Sequence, residues 1–106
     1  MEETTLTKMS LKELQLRVSA HYGLHPLDIF AFTYHQNRSK YLLHIRQVFY
    51  LIAHNRFGYS LRQIGDFLCI NHATVLTNLV IAKKSDCVIQ DAEKVMLSIG
   101  GKFSPV

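Results

Sequence analysis

Between Ser39 and Arg56 the apolar residues Ile45, Val48, Phe49 and Ile52 recur at i, i+3, i+4 and i+7. That spacing lines one face of an α-helix. A face so apolar must be covered, and the rest of the chain offers helices to cover it. Upstream, Ser10-Leu11-Lys12-Glu13 reads as a capping box, with the Ser10 oxygen taking an orphan N–H and Glu13 reaching back. Leu11, Leu14, Val18 and Tyr22 follow at helical spacing, and Gly23 ends the helix. Pro26 sits where a first helical turn tolerates it, so a short second helix is expected in HPLDIFAF. The polar stretch TYHQNRSK then leads to the long run, which Gly58 closes.

Downstream, Ser60-Leu61-Arg62-Gln63 is a second capping box, opening a helix whose inward face is Leu61, Ile64, Phe67 and Leu68. After a tight break around Cys69–Asn71, Asn71 caps a further helix with Val75, Leu76, Leu79 and Ala82 on its apolar side. A last helix from Asp86 to Ile99 carries Val88, Ala92, Val95, Met96 and Ile99, a stripe expected to close the core, with dimerisation as the alternative, and stops at Gly100-Gly101. No segment alternates as a strand would. The expectation is one all-α domain of five or six helices over residues 8–99, with frayed tails at 1–7 and 100–106.

Composition narrows the function classes. The two cysteines, Cys69 and Cys87, lack CxxC spacing and no signal peptide precedes them, so they read as small core thiols of a reduced, cytoplasmic protein. Arg46, His54 and Arg56 interrupt the best candidate for a membrane span. The six histidines find no cysteine or carboxylate at ligand spacing, and Gly23 and Pro26 break the helix that would align His21 with His25. There is no phosphate-cradling glycine loop and no supported Cys–His pair, because Cys69 and His72 are merely close in a loop. The chain asks for no metal or cofactor, no small-molecule substrate and no catalytic role.

Charge points elsewhere. From Ile29 to Ser85 there are seven bases (Arg38, Lys40, Arg46, Arg56, Arg62, Lys83, Lys84) against the single acid Asp66, while the flanks hold five bases and seven acids. The middle is thus about +6 and the flanks about −2, an asymmetry that favours a polyanionic partner. Within that middle, the helix opening on Asn71, His72, Ala73 and Thr74 presents a small, polar N-terminal end. Such an end can enter the major groove, where hydrogen-bonding side chains meet base edges and methyl groups meet thymine. One turn on, Thr77 and Asn78 keep the contact face polar. Arg38, Lys40, Arg46 and Arg62 stand where loops and helix starts commonly hold phosphates, and a loop arginine can also enter a narrow minor groove.

The run from Asn37 to Lys84 resembles the C-terminal DNA-binding domain of the bacterial replication initiator DnaA. The resemblance rests on Arg38-Ser39-Lys40, Arg46-Gln47, Ser60-Leu61-Arg62-Gln63-Ile64-Gly65 and Asn71-His72-Ala73-Thr74-Val75 at matching spacing. It extends over roughly Leu11 to Lys84. It implies a Trp-repressor-like bundle with a helix-turn-helix at about 60–84, its recognition helix over 72–84. It further implies that Arg38 is the minor-groove arginine, that Arg46, Gln47 and Thr74 hold phosphates, and that His72 lies against bases with Asn71 and Ala73 beside it. Three positions depart from the family. Ile70-Asn71 stand where the family has Arg-Asp, and Ala73 stands for a threonine. An amide at Asn71 both donates and accepts, which suits adenine rather than cytosine. No ATPase module accompanies the domain in this sequence. The expectation is a small nucleoid-associated regulator or mobile-element accessory protein, bacterial or phage, that binds double-stranded DNA. The competing reading is a helical protein–protein adaptor that kept the scaffold and lost the DNA surface.

Overall fold

The run that organises the sequence becomes the central helix. The computed structural model describes residues 9–30 and 40–99. The expected tails, the Gly100-Gly101 stop and Arg38 with the segment around it lie outside the described residues. Six α-helices occur among the described residues: α1 (Leu11–His21), α2 (Pro26–Phe30), α3 (Lys40–Leu51), α4 (Leu61–Leu68), α5 (His72–Lys83) and α6 (Asp86–Ile99). No strand occurs among those residues, and the class is all-α.

α3 packs against α1, α2, α5 and α6. Every residue from Ile45 to Ala53 is buried, so from Ile45 onward the helix is enclosed on all sides rather than on the single face its periodicity displays. Leu14 and Val18 of α1, Ile29 and Phe30 of α2, Val75 and Leu79 of α5 and Val88, Val95 and Met96 of α6 complete the core. The α6 stripe is therefore core, as its spacing suggests. Phe30 meets Phe49 edge to face at 5.0 Å between centroids, the favoured aromatic geometry.

The helix ends follow from local chemistry. Ser60 Oγ accepts from Gln63 N–H at 3.0 Å while Gln63 Oε1 accepts from Ser60 N–H at 2.8 Å, a complete capping box. At α1 only half of the expected box forms. Ser10 Oγ accepts from Glu13 N–H, but the Glu13 carboxylate turns away to meet Arg17 Nε at 2.7 Å one helical turn on. Gly23 and Gly58, with φ of +69° and +76°, supply the left-handed residues that stop α1 and the segment after α3.

Periodicity did not foretell the end of α3. Residues Ile52–Arg56 form a π-helical turn in which Phe57 N–H reaches Ile52 C=O at 3.2 Å. The wider turn carries Phe57 into the core, and Tyr59 N–H then returns to Ala53 C=O. His54 Nδ1 meets Tyr59 C=O at 2.9 Å and the Tyr59 hydroxyl donates to Met9 C=O at 2.6 Å. These bonds set the approach to α4.

Both cysteines are exposed, contrary to their reading as core thiols. Cys69 is held out by the turn it makes, and Cys87 falls one residue before the buried Val88, on the outer side of α6. On the far side of the bundle, Asp91 of α6 accepts from the Tyr22 hydroxyl at 3.2 Å and meets His44 Nε2 at 2.5 Å. One carboxylate thereby links α1, α3 and α6. Burial, followed by the charge and hydrogen bond of Asp91, pushes the Tyr22 phenol well above its usual range.

Candidate nucleic-acid interface

The chain turns through 115° between α4 and α5, across only Cys69, Ile70 and Asn71. Three local features make so sharp a turn possible. Cys69 takes the left-handed conformation, φ 60° and ψ 40°. Ile70 N–H closes onto Gly65 C=O at 2.9 Å and Cys69 N–H onto Asp66 C=O at 3.3 Å, the paired bonds that finish a helix in a Schellman turn. Finally, Gly65 lets the turn fold back against α4, since a Cβ there would stand 2.8 Å from Ile70 C=O. Ile70 itself is half-buried against the core, so the residue standing where the resembling family has an arginine points its bulk inward.

α5 begins as its sequence suggests. Asn71 caps it, Oδ1 accepting from Ala73 N–H at 2.7 Å. Asn71, His72, Ala73 and Thr74 are all exposed, and Thr77 is exposed one turn further. His72 has no hydrogen-bond partner among the described residues. The other polar groups are largely spent within the protein. The Thr77 hydroxyl donates to Ala73 C=O at 3.0 Å. Asn78, half-buried, donates to Thr74 C=O at 2.9 Å and accepts from Gln47 Nε2 at 3.2 Å. Asn71 already spends one of the two acceptor sites of its amide oxygen on the cap.

The candidate phosphate contacts and the basic end of α5 differ in exposure. Lys40, Arg62, Lys83 and Lys84 are exposed and carry no ion pair among the described residues. Arg46 and Gln47 are buried, at 3% and 6% exposure. Arg46 lies in the middle of α3 rather than at its opening, and its Nη1 donates to Ile29 C=O at 2.8 Å, holding α2 against α3. Burial lowers its pKa from the ordinary arginine value, partly opposed by Tyr50. A buried guanidinium already bonded to a carbonyl is not presented to phosphate. Gln47, through Asn78, ties α3 to α5. Gln47 thus braces the helix pair from beneath while Arg46 braces α2, and neither residue forms part of the outer surface.

Leu76 also differs from expectation. Sequence reasoning sets it with Val75, Leu79 and Ala82, but it follows Val75 by 100° around the helix and leaves the core face. Leu76, Val80 and Ile81 are 49%, 45% and 50% exposed. The signal was present: apolar residues at 75, 76, 79, 80 and 81 cannot all share one face. Among the described residues no three His, Cys, Asp or Glu side chains gather as a metal-binding group, and no single helix is long and apolar enough to cross a membrane. Compared with known protein families, curated protein sequences and solved structures, the chain matches none.

Proposed function

We propose that this protein binds double-stranded DNA through α4 and α5 acting as a helix-turn-helix within a Trp-repressor-like bundle. The N-terminal end of α5 enters the major groove, and the basic segment 38–40 reaches toward the minor groove. The observation that carries this reading is the helix pair itself. A 115° turn over three residues falls within the range of helix pairs that read DNA, and it leaves Asn71–Thr74 exposed at the leading end of α5. The exposed cations Arg62, Lys83 and Lys84 on the same pair suit the phosphates on either side of a groove. His72 is the base-reading side chain, Thr74 and Arg62 are phosphate contacts, Gln47 acts indirectly by fixing α5 through Asn78, and Arg46 supports the bundle by holding α2. A small regulator or mobile-element accessory protein in the bacterial or phage nucleoid is the biological setting that follows.

The alternative, a protein–protein adaptor, draws on one observation: the exposed Leu76, Val80 and Ile81 give α5 an outer surface more apolar than groove contact requires. Titration of random-sequence duplex DNA at several salt concentrations separates the two. DNA binding predicts affinity falling steeply with salt, because each neutralised phosphate releases counterions, and a shallower slope for Arg62→Ala. Absence of salt-dependent binding to duplex refutes it and favours the adaptor.

A further inference from the structure

If α5 lies in a major groove, its side chains fix what it can read there, and they offer little hydrogen bonding. From His72 to Ala82 there is no Arg, Lys, Gln, Asp or Glu. The side chains that pair bidentately with guanine, or accept from the cytosine amino group, are thus missing. Asn78 is committed at both ends of its amide, the Asn71 oxygen caps the helix, and the Thr77 hydroxyl is turned onto the backbone. What α5 turns outward instead is aliphatic: Ala73, Leu76, Val80 and Ile81. The major groove has one apolar feature that differs between base pairs, the C5-methyl of thymine.

We infer that α5 selects its sites by burying thymine methyl groups against Ala73, Leu76 and Val80, so that the preferred duplex is rich in thymine at the contacted steps. The inference rests on the DNA-binding reading proposed above and specifies what that reading recognises. Charge chooses this occupant over an apolar protein groove. From Ser60 to Ser85 the exposed cations Arg62, Lys83 and Lys84 face only one acid, Asp66, and there is no acid between His72 and Lys84. A stripe intended for an ordinary protein surface has no need of that excess, whereas an apolar strip flanked by cations matches methyl groups lying between phosphate rows. His72 remains as the hydrogen-bonding group at the leading end.

The test compares four short duplexes: alternating dA–dT, the same with uracil for every thymine, alternating dG–dC, and the same with 5-methylcytosine for every cytosine. Each methyl buried is worth about fourfold in affinity at the usual transfer free energy. Two or more buried methyls predict roughly a tenfold or greater loss from thymine to uracil, a gain on cytosine methylation, and equal salt slopes within each pair. Leu76→Gln combined with Val80→Gln, both exposed and so compatible with folding, brings the thymine-to-uracil ratio toward one. Salt-dependent binding that ignores the methyl group in both pairs overturns the inference and leaves DNA binding standing. No salt-dependent binding to any duplex overturns both. Self-association or capture of another protein that the double variant abolishes while DNA binding is unaffected overturns the inference alone.

Discussion

Replacing Gly65 by alanine tests the geometry on which the candidate site depends. In the middle of an exposed helix, glycine to alanine raises stability by about 1 kcal/mol, because alanine loses less backbone entropy on folding. Here the added Cβ meets Ile70 C=O at 2.8 Å, His72 N at 3.3 Å and His72 Cα at 3.4 Å. All three are backbone atoms, and they belong to the turn and the first residue of α5. None can rotate away, so the turn must lift by roughly half an ångström to restore ordinary contact. The lift works against the Ile70 N–H to Gly65 C=O bond that finishes α4. Overpacking of this kind costs about 1–3 kcal/mol, which exceeds the helix-propensity gain at most of that range. Gly65→Ala is therefore expected to be less stable by about 1 kcal/mol in urea unfolding, with the midpoint lowered and the slope unchanged. Its duplex affinity should fall further than the unfolded fraction explains, since α5 enters at an altered angle. A variant as stable as wild type, or more stable, refutes the claim that close backbone approach at Gly65 sets the turn.

Other perturbations follow from the same contacts. Cys69 holds a left-handed conformation without glycine's freedom, so Cys69→Gly should raise stability by about 0.5–1 kcal/mol with little change in DNA affinity; a loss of stability contradicts the turn geometry. Arg46→Met keeps most of the buried bulk but leaves Ile29 C=O without its donor, and should cost about 1–3 kcal/mol while the salt slope of DNA binding stays the same. Normal stability with a shallower salt slope would instead return Arg46 to the phosphates. Burial pushes the Tyr50 phenol up to about 12, above the ordinary tyrosine value of 10.0, an effect that the positive charge of Arg46 partly offsets. A folded pKa above the unfolded one means the stabilisation is complete below pH 10 and is lost as pH rises toward 12. Tyr50→Phe should flatten that alkaline decline by about 2–3 kcal/mol, read by denaturant midpoints across the pH series; an unchanged alkaline limb contradicts it.

Much of the architecture is written in local signals. Ser60 with Gln63, Asn71, Gly23 and Gly58 mark helix ends that formed because each satisfies nearby backbone groups or supplies a positive φ. Helical spacing likewise picked out Leu14, Val18, Val88, Val95 and Met96 as core. The failures have different causes, some local and some not. Arg46 appears surface-bound in the sequence because its partner, the Ile29 carbonyl, belongs to another helix. Glu13 had two local partners available, the cap and Arg17, and spacing alone did not decide between them. Leu76 was assigned by its hydrophobicity when its angle from Val75 sends it outward. Gly65 stood within the quoted motif, yet that its hydrogen atom faces the backbone of the next helix is visible only in three dimensions.

The most direct test of the central claim is backbone amide NMR of the protein titrated with duplex DNA at low salt. Binding by the helix pair predicts that the largest shifts cluster at Asn71–Thr74, Thr77 and Val80, with smaller ones near Arg62, and that they vanish as salt is raised. Shifts concentrated on α1 and α6 around Tyr22 and Asp91, or no shifts at any duplex concentration, would contradict it.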